Sequence, residues 1–321
     1  MSKPVQVEVV LSHSEHLPAV DVWLVVDILR ATTVMVRWFE VGGSELYPAD
    51  SVENASRLAE RLRREGSTPL LMGEQNAIAP QGFDLGNSPL DIKEDLTQKY
   101  TCAVMATTNG TKAILKAAST GTPVLVASAR NASAVLDLAL SKGRRIGIFC
   151  SGRKGRPAWD DTLCAGLLTS CLADVFPDIH LADSARLACL TWRSSGDFRS
   201  SLRSADHAVF LDRIGFGNDI SAAAEIDVAR VVPELHEIPD GGGMLPCLRQ
   251  GLKSPDAFAS EFGTHLQAAL ARPRDPLPLP AAGTEGIWRE IVHSGSDDDP
   301  VHVFFGGKDF RKQYANKSKK S

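Results

Sequence analysis

Trp23-Leu-Val-Val-Asp-Ile-Leu-Arg-Ala-Thr-Thr33 is the stretch from which the fold is read. Its apolar run has the length and β-branched content of a buried strand, and it stops at Asp27, ahead of a small, hydroxyl-rich turn. A strand with no polar alternation belongs to a sheet covered on both faces. In open α/β sheets, ligands bind just beyond the C-terminal ends of such strands. Asp27 and Arg30 are therefore candidates for one wall of a phosphate- and metal-handling site. The same residues equally allow Asp27 to cap the next helix and Arg30 to pair with it on the surface.

Working outward, residues 5–11 alternate apolar and polar and read as a half-exposed strand, and 31–40 as a helix ended by Gly42-Gly43. A short strand at Glu45–Tyr47 precedes a helix. There Asp50 and Glu53 form a capping box, and Val52, Ala55, Leu58, Ala59 and Leu62 form the apolar face. Gly66 closes it, and Pro69–Met72 is the next strand. Residues 73–90 are irregular, and a loop of that length in an α/β unit is usually functional. Cys102–Ala106, Val124–Ala127 and Arg145–Phe149 are further strands. Between them lie a helix running to about Ser119 and one capped by Asn131, with Ala132, Val135, Leu136, Ala139 and Leu140 inside. Asp160 or Asp161 opens an amphipathic helix whose inner side is Leu163, Leu167, Leu168, Cys171 and Val175.

The repeated order of strand, loop and helix predicts an α/β protein, a three-layer α/β/α fold around a largely parallel or mixed central sheet. Between 178 and 235 the pattern turns helical, with a turn at Gly215-Phe-Gly-Asn218 before a helix from Asp219 to Val228. Pro273, Pro276, Pro278 and Pro280 mark a stiff linker. The expected organisation is a catalytic domain over 1–250, with a division into two lobes near 120–130 left open. A helical, Pro-rich linker over 251–283 follows, then a partly disordered C-terminal extension over 284–321 with a short strand at Val301–Phe305.

The chain's 321 residues are 43% hydrophobic and 23% charged, the balance of a soluble globular protein. A formal charge of −4 supplies no field for holding nucleic acid or an anionic membrane. The start carries no secretory h-region, and no apolar stretch approaches membrane-spanning length. The six cysteines (102, 150, 164, 171, 189, 247) show no Cys-x-x-Cys pair, so free thiols in a reducing cytoplasm are expected. The eight histidines fall outside the motifs, which disfavours a His-based triad or a zinc hydrolase.

Strand after strand ends in polar residues: Asp27 with Arg30, Glu74, Thr107-Thr108-Asn109, and Cys150-Ser151. In a parallel sheet these ends share one edge. Thr107-Thr-Asn-Gly-Thr111 feeds a helix and offers N–H and O–H donors to an oxyanion, or else is an ordinary N-cap with Gly110 fitting the turn. Asn87 and Ser88 could bind phosphate or a carboxylate, or build an Asx-turn before Pro89. Asp27, Glu74 and one of Asp160 and Asp161 would suit magnesium, which takes few protein ligands. Cys150-Ser-Gly-Arg-Lys-Gly-Arg156 offers a competing mechanism, a thiolate nucleophile separated by five residues from Arg156, in the format of the cysteine-dependent phosphatases.

Read together, these stretches resemble the magnesium-dependent 2-phosphosulfolactate phosphatases. The matching segments are Val26-Asp-Ile-Leu-Arg-Ala-Thr-Thr33, Gly73-Glu74, Gly82-Phe-Asp-Leu-Gly-Asn-Ser-Pro-Leu90, Thr107-Thr-Asn-Gly-Thr111, Cys150-Ser-Gly152 and Asp160-Asp161 with Ala165-Gly166. They cover roughly residues 5–240. The resemblance implies hydrolysis of the phosphate ester of a small 2-hydroxy acid, giving sulfolactate on the way to coenzyme M in methanogens. It implies magnesium near Asp27, Glu74, Asp160 and Asp161. It also implies that Arg30, Asn87, Ser88 and Thr107, Thr108, Asn109, Gly110 and Thr111 hold the anionic substrate, with Ser151 beside them. Gln75 and Asn76 stand where the family often has arginine, which leaves the identity of the substrate's second anionic group open. A small phosphorylated 2-hydroxy acid is the expected partner, and a homodimer is left open. A non-catalytic module that binds a phosphometabolite is the reading from a different class, and carboxylates at an anion site argue against it unless a cation is present.

Overall fold

Val22–Val26 is a strand, β2, with every residue buried, and alternate side chains enter two separate cores. Val22, Leu24 and Val26 join one cluster, and Trp23 and Val25 join the other. That arrangement requires helices on both faces. The computed structural model describes residues 4–240, 243–251 and 263–271.

Along the chain, β1 (Gln6–Val10) and β2 lead to α1 (Ala31–Glu40), β3 (Glu45–Ala49), α2 (Val52–Arg64) and β4 (Pro69–Gly73). After the long loop come α3 (Asp95–Lys99), β5 (Cys102–Ala106), α4 (Gly110–Ala118), β6 (Val124–Ala127), α5 (Ala132–Lys142), β7 (Arg145–Cys150) and α6 (Trp159–Val175). The remainder is β8 (His180–Leu181), α7 (Asp183–Ser194), α8 (Phe198–Arg203), α9 (Asp206–Arg213), α10 (Gly217–Ala223), the hairpin β9 (Pro233–Asp240) and β10 (Gly243–Gln250), and α11 (Gly263–Leu270).

The described strands form one mixed sheet in the order β4-β5-β3-β10-β9-β6-β2-β7-β1-β8. One face carries α1 and α4 over a core with Trp38, Met35 and Ile114. The other carries α5, α6 and α7 on one side and α2 on the other. The fold is thus the three-layer α/β/α sandwich expected from the sequence.

Its directions differ from the expectation of a single shared edge. β6 is antiparallel to β9, β9 to β10, and β10 to β3, so the parallel group β4-β5-β3 runs opposite to the group β6-β2-β7-β1-β8. The hairpin that joins them was not foreseen. Helix α4 brings the two groups' loops together, since it leaves β5 yet packs beneath β2, β6 and β3.

Several local readings shift. Ser51, not Asp50, caps α2, with Ser51 Oγ accepting from Asn54 N at 3.2 Å. Asn131 serves a short turn ahead of α5, where its Oδ1 accepts from Ser128 N. Helix α6 is buried on nearly all sides rather than amphipathic, because it is wedged between the sheet and α7 with α11 beside it. Helix α10 ends at Ala223, short of Val228. The chain divides into Met1–Leu277 and Pro278–Ser321, and every described residue lies in the first unit. The prolines of the linker, the extension over 284–321 and the strand at Val301–Phe305 lie outside the described residues.

Candidate active site

The site begins where β2 ends. Asp27 is 7% exposed. Its backbone N–H donates to Thr32 Oγ1 and its carbonyl accepts from Thr32 N, which fixes the turn into α1. Its Oδ1 accepts from Ala31 N at 3.4 Å, a weak cap. The capping role is therefore real, yet it leaves most of the carboxylate's acceptor capacity free.

From the first turn of α6 comes a second acid. Asp161 accepts from Ile28 N (2.9 Å), Gly152 N (2.9 Å) and Ser151 Oγ (3.0 Å), so it ties the β2 and β7 loops together. Ser151 is thus a holder of Asp161. Cys150 is corrected as a nucleophile. Its thiol is wholly buried in the core, faces the Asp161 carbonyl at 3.6 Å, and is pushed well up by burial and by the charge of Asp161. Arg153 and Arg156 close a two-residue hairpin by mutual backbone hydrogen bonds, so the loop does not wrap around the sulfur as a phosphate cradle.

The other strand group contributes Glu74, Asn87 and the turn after β5. Glu74 Oε1 accepts from Thr108 N (2.7 Å) and Oε2 from Ala77 N (2.6 Å). The anion that the Thr107–Thr111 turn holds at Thr108 is thus the protein's own carboxylate. Thr107 and Thr111 are also corrected as substrate contacts: each side-chain oxygen accepts from the other's backbone N–H, at 3.1 and 3.0 Å, which holds the turn's shape. Gly110 is required by proximity. A Cβ there would lie 2.7 Å from Asp27 Oδ2 and 2.5 Å from Ala31 Cβ. This contact is what seats the start of α4 against the end of β2.

Arg30 is neither at the surface nor a free anion clamp. It is 2% exposed, donates to Asp219 Oδ2 (2.7 Å) and to the Ala77 carbonyl (2.8 Å), and lies over the Phe216 ring at 4.5 Å. Ser88 Oγ donates to the other oxygen of Asp219 at 2.6 Å. Asp219, which was placed in a helix but not in the site, therefore joins two of the expected substrate residues. A buried acid in a seven-residue helix leaves no local signal of that role. Asn87 keeps an open acceptor: its Oδ1 is buried and has no hydrogen-bond partner among the described residues.

Asp27, Leu29, Arg30, Glu74, Ala77, Asn87, Asn109 and His207 line a cleft of about 20 Å³, room for roughly one water or ion. His207, set aside with the other histidines, stands on α9 with Nδ1 3.8 Å from Asp160 Oδ2. Only the tertiary fold brings it there.

Electrostatics make the site distinctive. Asp27 is raised to about 8, first by burial, then by the charges of Asp161 and Glu74, against the Ser151 hydroxyl and Ala31 N–H. Asp160 and Asp161 are also raised, chiefly by burial, with Asp27 next for Asp160 and Asp160 next for Asp161. His207 is lowered to about 4 by burial and by Arg153 and Arg30. Carboxylates crowded in this way each disfavour the other's ionisation. Among the described residues no three His, Cys, Asp or Glu side chains are disposed to ligate one ion.

The profile of the 2-phosphosulpholactate phosphatase family matches residues 9–237. The chain belongs to this family. Among its relatives, a "Probable 2-phosphosulfolactate phosphatase" of Deinococcus radiodurans is 37% identical over 230 residues, 70% of this chain and 92% of the relative. One of the same name from Thermus thermophilus is 36% identical over 224 residues, 69% and 90% of the two chains. A third, from Clostridium novyi, is 35% identical over 213 residues, 66% and 88%. The matched span holds every acid of the cluster, together with Asn87, Arg30 and Asp219. No helix among the described residues is long and apolar enough to cross a membrane.

Proposed function

We propose that this chain is a phosphoric monoester hydrolase that releases phosphate from 2-phosphosulfolactate, giving sulfolactate, and that it works with magnesium. The observation that carries this reading is the group of buried carboxylates with raised proton affinity around a cleft that also presents the open acceptor of Asn87.

The donor set fits a hard cation. Asp161 accepts three hydrogen bonds and Glu74 two, whereas Asp27 accepts one weak one, and Asp160 takes backbone N–H bonds at the start of its helix with lone pairs to spare. Asp27 and Asp160 would hold magnesium, with water in its remaining positions. When bound, the ion supplies the positive charge that keeps these carboxylates ionised and offsets charge on the phosphoryl oxygens.

The chain's own residues do the rest. Asn87 Oδ1 accepts a hydrogen bond from a water in the cleft and fixes the direction of its lone pair. Asp27 takes a proton from that water as its oxygen bonds to phosphorus. The bond between phosphorus and the C2 oxygen breaks, and the same proton passes from Asp27 to the departing alkoxide. Arg30 and Ser88, held by Asp219, keep the walls in place. The bulk of the substrate lies outside so small a cleft.

Phosphate release from a panel of phosphorylated 2-hydroxy acids tests this, with EDTA and with added magnesium. Turnover of 2-phosphosulfolactate that EDTA abolishes and magnesium restores is expected. Full activity in EDTA would refute the metal's role, and no release from any member of the panel would refute the activity.

A further inference from the structure

The acid-lined cleft faces a problem of charge. A substrate with a phosphate, a carboxylate and a sulfonate approaches a wall of carboxylates, and Arg30, the cation on that wall, is already neutralised by Asp219. A second cation stands at the rim. Arg153 follows Gly152, whose N–H binds Asp161, so the residue starts from the site's own framework. Its guanidinium lies over the Phe210 ring at 5.5 Å, and that ring stacks on His207, which lines the cleft.

Arg153's charge reaches the site. It favours the ionised form of Asp160 and disfavours protonation of His207. Among the described residues Arg153 has no ion-pair partner within 4.0 Å. Its backbone is held firmly. Lys154 and Gly155, with φ of 53° and 73°, form the tight turn of the hairpin, and the Gly155 carbonyl accepts from Ser12 Oγ and Ser14 Oγ. A half-buried arginine on a pinned hairpin, stacked on an aromatic ring, has lost the rotamer freedom that would otherwise weaken binding. Lys154 and Arg156 on the same hairpin are exposed.

We propose that Arg153 is the residue that recognises the substrate's sulfonate and so sets the preference for sulfonated over plain 2-hydroxy acid phosphates. This rests on the phosphatase reading above. The planar fork of the guanidinium donates two parallel hydrogen bonds to two sulfonate oxygens, a match that a lysine's ammonium does not reproduce. The sulfonate, one carbon beyond the phosphate-bearing carbon, reaches the rim while the phosphate stays at the carboxylate cluster.

The test compares kcat/KM for 2-phosphosulfolactate with that for 2-phospholactate, which lacks the sulfonate, in the wild-type protein, Arg153→Ala and Arg153→Lys with magnesium present. The ratio of the two values is the readout, because it does not depend on how much of a variant folds. A drop in the ratio of tenfold or more in Arg153→Ala, carried mainly by KM, with partial recovery in Arg153→Lys, is expected. An unchanged ratio, with both substrates affected equally or not at all, overturns the assignment while leaving the phosphatase reading intact. Wild-type protein that turns over neither substrate overturns the phosphatase reading itself and this assignment with it.

Discussion

Replacing Asp27 by asparagine separates the stability of the fold from its chemistry. The folded state raises Asp27 from 3.8 to about 8, so the folded protein holds this proton more tightly than the unfolded chain. By linkage there is no penalty below the unfolded value, a growing one through the window from 3.8 to about 8, and the full penalty above it. Four units at about 1.36 kcal/mol each set an upper bound on the order of 5 kcal/mol. Relaxation around the charge brings the expected effect to about 2–3 kcal/mol. Asparagine keeps the shape and the Oδ1 acceptor for Ala31 N but carries no charge. In EDTA, Asp27→Asn should match the wild-type protein most closely at pH 5 and exceed it by about 2 kcal/mol more at pH 8, roughly 4–8 °C in Tm. The measurement is urea unfolding followed by tryptophan fluorescence at the two pH values. Magnesium at pH 8 should narrow the gap by stabilising the wild-type protein alone. Phosphate release should be lost at every pH. A gap that is equal at both pH values, or a variant less stable at pH 8, would refute the account of a charge-crowded cleft.

Other substitutions probe the supports. Asp219→Ala leaves the buried Arg30 charge and the Ser88 hydroxyl without their partner, and should cost about 3–5 kcal/mol in unfolding free energy. Phosphate release should fall at least tenfold. Wild-type stability and activity would remove Asp219 from the site. Gly110→Ala drives a Cβ against Asp27 and Ala31, so about 1–3 kcal/mol of destabilisation is expected, with reduced turnover and a crystal structure showing α4 displaced from β2. Cys150→Ser should keep its catalytic rate, and iodoacetamide should leave the native enzyme active, since the thiol is buried and protonated. A dead but folded serine variant would reinstate the thiolate mechanism.

The apolar run ending at Val26 and those at Cys102–Ala106 and Val124–Ala127 were legible in the sequence, because a strand buried on both faces leaves no polar interruption. The acids at the loop starts were legible for the same reason: a polar residue just beyond such a run has few places to go. Asp27 and Glu74 were read in that way, Asn87 from the long loop over 73–90, and Asp160 and Asp161 from the first turn of a helix. What local pattern could not carry was direction and partnership. The hairpin β9–β10, with a half-exposed, charged face, gave no strand signal, and it decides that the two strand groups oppose each other. Arg30 read as a clamp because its neighbours in sequence left it free. A carboxylate 189 residues away takes it up instead. The same long range hides His207 and the neutralised turn at Thr108, and it leaves Arg153 at the rim without an ion pair among the described residues. Trp23-Leu-Val-Val-Asp by itself determined a buried strand and a carboxylate at its end. Only the packing of α4, α6, α9 and α10 around that carboxylate decided its charge, because burial and neighbouring acids are properties of the folded chain.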